Sequence, residues 1–256
     1  MRLGWRSLTA AMLTMAAALA VMTSRIVGGT VVTPLDPVPA MAAGGSLERR
    51  ATHVVLRLAG TPEEMGRQHG TLLKRTIAFM LQQYIRPNLE GEHGRRLVAG
   101  VRRMRASLPE DYVRELDACA AAAGVDADEL LIAQCLGDLE VAIIGARDLR
   151  HACTSYVAFG PATADGTLQC GRNFDYDVGE QTTQCASLVS YYSPSPGQGH
   201  RFASVGLAGV LGGWTLVNDQ GLIVANHVGG GIRTRLDGIP TLILTRLVAQ
   251  RAGTVE

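Results

Sequence analysis

Hydrophobic positions recur with a helical period through the first half of this chain and with a strand period through the second. Thr61 and Glu64 form a capping box with Pro62 in the first turn, and Leu72, Leu73, Ile77 and Leu81 continue at helical spacing until Pro87. The same spacing predicts a second helix from about residue 92 to 107 and a third that opens at Pro109, carries Tyr112, Val113, Leu116 and Cys119, and ends at Gly124. A fourth begins at Asp126 with Glu129. His53 to Leu58 is a short β-branched run that precedes them. From Cys153 the period changes to two. Tyr156–Phe159, Ala186–Tyr192, Arg201–Val205, Trp214–Asn218 and Leu222–Asn226 read as strands, separated by glycine-, proline- and asparagine-rich turns. After Pro240 an amphipathic helix returns, with Leu242, Leu244, Leu247 and Val248 among its apolar positions. Helices in one half and strands in the other predict the α+β class.

The N-terminus carries a different pattern. Arg2 and Arg6 precede an uncharged apolar run, Leu8 to Met22, with Ala18-Leu19-Ala20 as a small-x-small cleavage signature. The run is shorter than the roughly 20 residues of a spanning helix, so residues 1–22 read as an export signal to the periplasm or the exterior, leaving no stable membrane span once removed. The alternatives are a misassigned start on a cytoplasmic protein, or an uncleaved signal anchor. Residues 23–50, with Gly28-Gly29, Pro34, Pro37, Pro39 and Gly44-Gly45, read as a linker. That leaves a helical segment over 51–152 and a strand-rich one over 153–256.

Composition narrows the function classes. A chain of 256 residues, 47% hydrophobic, can bury a sizeable core. Its net charge of +1 is nearly balanced and the basic residues are scattered, which argues against a nucleic-acid partner. Five cysteines without a CxxC pair do not predict a disulfide framework. Cys119 and Cys135 fall in helical core patterns, and Cys170 and Cys185 in strand-like runs. Gly229-Gly230-Gly231 lacks a following lysine and reads as a loop, and the carboxylates and histidines form no convincing metal set, so no cofactor is expected.

The candidate chemistry lies where the period changes. Cys153 opens a strand, Asp165-Gly166 turns the chain, and the returning strand brings Arg172 and Asp175 back towards the thiol. A thiol attacks as its thiolate, which a neighbouring cation such as Arg172 favours. On spacing alone Cys153 is more simply read as a small buried apolar residue, and Arg172 with Asp175 as a structural ion pair.

Three blocks add a resemblance. Gly60-Thr61-Pro62-Glu63-Glu64-Met65-Gly66-Arg67-Gln68-His69-Gly70, then Cys153-Thr154-Ser155 through Gly171-Arg172-Asn173-Phe174-Asp175-Tyr176, then Val217-Asn218-Asp219-Gln220-Gly221-Leu222 leading to Asn226 occur in order. Together they resemble the acyl-coenzyme A:isopenicillin N acyltransferase family of N-terminal-nucleophile (Ntn) hydrolases, over residue 51 to the end of the chain. The resemblance implies a four-layer αββα sandwich, which 256 residues leave incomplete, preceded by a mostly helical proregion. It also implies self-cleavage between Ala152 and Cys153 by an N-to-S acyl shift, giving two associated subunits. The freed α-amino group, with an ordinary pKa of about 7.7 to 8.0, would then serve as the base of the Cys153 nucleophile. Substrates of such a site are small acyl amides or acyl thioesters, with acyl-coenzyme A entering as substrate.

Within the resemblance Arg172 would stabilise the thiolate or an oxyanion, Asp175 would orient the amine, and Asn226 would donate to the oxyanion, a contribution of about 2.7 to 4 kcal/mol. Family members carry glycine before the nucleophile, whereas this chain has Ala152. His69 reads as a packing or capping residue. Two rival readings remain: a papain-like Cys153–His227 dyad that needs no cut, and a catalytically silent homologue or binding module.

Overall fold

In the computed structural model, residues 32–144, 152–227 and 235–256 are described. The signal-like segment 1–22, the first part of the linker, His151 and Gly229-Gly230-Gly231 lie outside them. Nine strands and seven α-helices are present among the described residues, in a mixed arrangement consistent with α+β.

The capping box forms as expected. Thr61 Oγ1 accepts from the Glu64 N–H at 3.3 Å and Glu64 Oε2 accepts from the Thr61 N–H at 2.7 Å. The helix it starts is interrupted where the pattern predicted continuity. Helix α1 (Pro62–Leu72) ends at Leu73, and α2 (Lys74–Met80) begins afresh because Asp36 supplies a cap that sequence periodicity does not contain. Its carboxylate accepts from the Arg75 and Thr76 N–H groups at 3.0 and 2.8 Å. A π turn (Leu81–Ile85) and a 3-10 turn (Arg86–Leu89) then lead past Pro87. Helices α3 (Gly91–Arg105), α4 (Glu110–Ala123) and α5 (Ala127–Ile144) follow close to the predicted spans. Gly66 and Gly70 let α1 lie directly on α4: a Cβ at either would come within 2.2 or 2.3 Å of the Glu115 and Cys119 carbonyl oxygens.

The strands are β1 (Ala40–Ala42), β2 (Gly45–Arg50), β3 (His53–Gly60), β4 (Ala152–Gly160), β5 (Gly166–Asp175), β6 (Ser187–Pro194), β7 (Phe202–Leu207), β8 (Thr215–Asn218) and β9 (Ile223–Ala225). Seven of them form one sheet in the order β1-β2-β3-β6-β7-β8-β9, while β4 and β5 form a separate hairpin. All neighbours in the large sheet are antiparallel except β3 and β6, which run parallel from Val55↔Val189 to Gly60↔Pro194. The linker expectation is corrected for residues 40–50. Their glycines mark a hairpin turn between two strands, and Leu47 is fully buried in the core. The helical and strand-rich halves also share one sheet, so the boundary at Cys153 is a change in helix content across a continuous core. Helix α6 (Glu180–Ala186) was not anticipated, and Cys185 lies on it rather than in a strand.

Alternation along the central strands gives the sheet two apolar faces. Val54, Leu56 and Leu58 join Tyr192, Phe202 and Leu216 in the main core with α1 to α5, and Val55, Val189, Tyr191, Ala203 and Val217 form a smaller cluster. Helix α7 (Thr241–Arg251) is fixed to this body by buried polar contacts. Arg246 donates to both Glu115 carboxylate oxygens, at 2.9 and 2.5 Å, and to the Leu211 carbonyl at 2.8 Å, with its guanidinium 4.6 Å from the Tyr192 ring centre. The Asn218 amide donates to the carbonyls of Ala249 and Ala252.

His69 is fully buried and accepts from the Gly209 N–H through Nε2 at 3.0 Å, which makes it a packing residue. Burial, and then the Arg246 charge, hold its pKa down to about 3. The unfolded chain takes up this proton near pH 6.5, so stability from His69 is complete above that pH and is lost as pH falls towards 3, by up to about 1.4 kcal/mol per pH unit. His69→Gln, which keeps an acceptor for Gly209, is expected to lose stability less steeply than the parent chain between about pH 6.5 and pH 4. Urea midpoints measured across that range check it, and parallel curves would refute it.

Candidate functional site

The β4–β5 hairpin is pinned at its turn by Asp165, whose carboxylate accepts from the Thr167 N–H at 3.1 Å and from its hydroxyl at 2.6 Å. Cross-strand register then decides which side chains meet. Cys153 faces Phe174 and Ser155 faces Arg172, so these four share one face, while Ala152 faces Asp175 on the other with Thr154 and Asn173. Gly171 is required here, because its Cβ would fall 2.1 Å from the Tyr156 ring that lies across it.

Arg172 gathers the site. Its Nη2 donates to the Cys153 sulfur at 3.1 Å and to the Asn226 carbonyl, and its Nη1 donates to the Thr215 hydroxyl at 2.9 Å. The guanidinium lies 4.8 Å from the centre of the Phe174 ring, which in turn packs on Trp214 at 5.0 Å. Burial lowers the Arg172 pKa, and the sulfur of Cys153 and the charge of Asp175 act against that. Arginine remains cationic under such shifts, so Cys153 has a positive neighbour within hydrogen-bonding distance.

The sulfur is not sealed in hydrocarbon. Cys153 is half-buried and borders a cavity of about 380 Å³. Phe174, Tyr176 and Trp214 form an aromatic wall, and Tyr84 donates its hydroxyl proton to the Tyr176 hydroxyl at 3.0 Å. Burial pushes the Tyr176 phenol up to about 12. The same cavity reaches Asp138, which accepts from the Thr241 N–H at 3.1 Å and its hydroxyl at 2.5 Å, and whose carboxyl is raised by burial. Cys170 faces Val157 on β5, four residues along the strand from Cys153, roughly 13 Å away and beyond disulfide reach.

The expected residues are therefore brought together unevenly. Cys153 and Arg172 meet. Asp175 does not join them: it is exposed, and its carboxylate accepts from the Asn173 amide at 2.7 Å. An offset of three along a strand places two side chains on opposite faces, which corrects the expectation that Asp175 returns beside the thiol. Asn226 borders the cavity, and its backbone is fixed on both sides, its N–H donating to the Trp214 carbonyl at 2.8 Å and its own carbonyl accepting from Arg172. His227 also borders the cavity, and its Nε2 lies 2.7 Å from the Ser155 hydroxyl. Sequence reasoning missed Ser155, Thr215 and Asp138. Only Ser155 had a signal, its place two residues after Cys153 on a strand.

Among the described residues no group of three or more histidine, cysteine, aspartate or glutamate side chains is placed to hold a metal, and no helix is long and apolar enough to cross a membrane. No family model matches the chain. An uncharacterized protein of Archaeoglobus fulgidus is 26% identical, over 79% of this chain and 37% of its own length. The chain thus spans little more than a third of that relative.

The Arg172 contact predicts a reactive thiol. Arg172→Met is expected to slow alkylation of Cys153 at neutral pH several-fold, with Arg172→Lys intermediate, because the donor and charge beside the sulfur are lost or moved. Peptide mass spectrometry, which separates Cys153 from the other four cysteines, measures this directly.

Proposed function

We propose that this chain is a self-processing cysteine Ntn hydrolase or acyltransferase that works through an acyl-enzyme on Cys153. The observation that carries the reading is the 3.1 Å bond from Arg172 to the Cys153 sulfur at the wall of a ligand-sized cavity. A thiol so placed has a cation beside its sulfur, and the order of the sequence blocks supplies the rest of the argument.

In this reading Cys153 attacks the Ala152 carbonyl, the peptide bond breaks, and water hydrolyses the resulting thioester. The freed α-amino group then accepts the thiol proton in each turnover and returns it to the leaving amine. Asp175 has a role consistent with its position opposite Ala152: it flanks the point where the new amine would appear, rather than the sulfur. The Asn226 carboxamide is the proposed oxyanion donor. The two products of the cut would stay together, because the ladder between β3 and β6 joins one to the other. The hairpin β4–β5 is the beginning of a second sheet in a four-layer αββα arrangement. Export, resting on the segment before Met22, and a small acyl amide or acyl thioester as substrate complete the proposal.

Intact-mass measurement of the purified chain tests it. Two fragments meeting at Ala152 and Cys153 are expected, absent in Cys153→Ala and formed faster in Ala152→Gly, which restores backbone freedom at the scissile bond. An intact wild-type chain that also resists thiol-directed acyl probes would remove the enzyme reading.

A further inference from the structure

We propose that His227, held by Ser155, is the proton acceptor for the Cys153 thiol during self-cleavage. The inference rests on the self-processing reading and addresses a step which that reading leaves without a base. Before the cut, the nitrogen of Cys153 is an amide and cannot accept a proton. The α-amino group that serves later turnovers does not yet exist.

Among the described residues, the groups around the sulfur leave few acceptors. Arg172 is a cation that already donates to the sulfur. Asp175 is on the other face of the hairpin. Asp138 borders the cavity, but its hydrogen bonds run to Thr241 on α7 and not to the hairpin that carries the sulfur. Tyr84 and Tyr176 are phenols with raised pKa values, and burial likewise raises the Cys135 thiol. Among the described residues, His227 is the imidazole that borders the cavity, and imidazole is the side-chain class suited to taking up and releasing a proton.

Its position is fixed from two directions. The residue before it, Asn226, has its carbonyl on the same Arg172 nitrogen that contacts the sulfur. Its own Nε2 lies 2.7 Å from the hydroxyl of Ser155, which shares the Cys153 face two residues along the strand. Two residues of strand separate the Cys153 and Ser155 backbones by roughly 6 to 7 Å, so the route from thiol to imidazole runs through water and the Ser155 hydroxyl rather than by direct contact. The other charged groups at this cavity are Arg172 and Arg235, the latter paired with Asp237 at 2.8 Å.

The step balances as follows. The thiol proton is relayed through the Ser155 hydroxyl, which gives its own proton to Nε2, and the thiolate sulfur bonds to the Ala152 carbonyl carbon. The carbon–nitrogen bond to Cys153 then breaks, and the imidazolium returns its proton to the departing nitrogen. The products are a thioester and a free α-amine, with His227 neutral again.

The rate of fragment formation in the full chain tests this, alongside the melting temperature of each variant. His227→Ala is expected to cleave roughly a hundredfold more slowly than wild type or worse, with partial recovery in excess imidazole, and Ser155→Ala to be slowed to a lesser degree. Cleavage of His227→Ala at the wild-type rate would overturn the inference while leaving self-processing intact. So would a slow rate that imidazole leaves unchanged, or full recovery in His227→Gln, since a carboxamide keeps the hydrogen bond but cannot carry the proton. A wild-type chain that never cleaves is a separate result: it ends the self-processing reading and this inference with it.

Discussion

The guanidinium of Arg172 donates to the Cys153 sulfur, the Thr215 hydroxyl and the Asn226 carbonyl while resting on the Phe174 ring. The first of these contacts lies within the hairpin and the other two reach the large sheet and the residue beyond its last strand. Hairpin and sheet are separate hydrogen-bonded units, so a planar five-donor group, half-buried between them, holds the Cys153 sulfur against the cavity. Lysine has one nitrogen and could not replace this geometry. The position of the sulfur therefore depends on a side chain nineteen residues away in sequence, and the cavity wall formed by Phe174 and Trp214 depends on the same placement.

Much of this was legible in the chain because it follows from local rules. The capping box at Thr61, the helices from residue 92 to 144 and the strands after Cys153 all follow from spacing and turn chemistry, and all are present. So is the meeting of Cys153 with Arg172. What escaped was set by partners distant in sequence. Asp36 restarts a helix nearly forty residues later, and Leu47 draws a glycine-rich stretch into the sheet. Asp175 was misplaced for a different reason. Its proximity in sequence to Arg172 suggested a shared site, whereas strand alternation, itself a local rule, separates them.

The parallel pairing of β3 with β6 gives the molecule its cohesion. A strand from before the helices and a strand from after Cys153 lie side by side at the middle of the sheet, with Leu56, Leu58 and Tyr192 buried. Glu115 on α4 and Arg246 on α7 make a second long-range tie through the interior. Buried pairs of this kind add little net stability, but removing one partner leaves a charge without compensation, so they fix which helix packs where. The body of the fold is thus specified by contacts that join its two halves, and the hairpin is the part that stands apart, with Tyr156, Val157, Phe159 and Leu168 exposed.

Trp214 gives this architecture an optical handle. The chain has two tryptophans, and the other, Trp5, falls in the signal-like segment. The indole of Trp214 touches Phe174 and borders the same cavity as the Cys153 sulfur. Its emission is consequently sensitive to whatever fills that space, so occupancy of the cavity beside Cys153 is open to spectroscopic titration without attaching a dye.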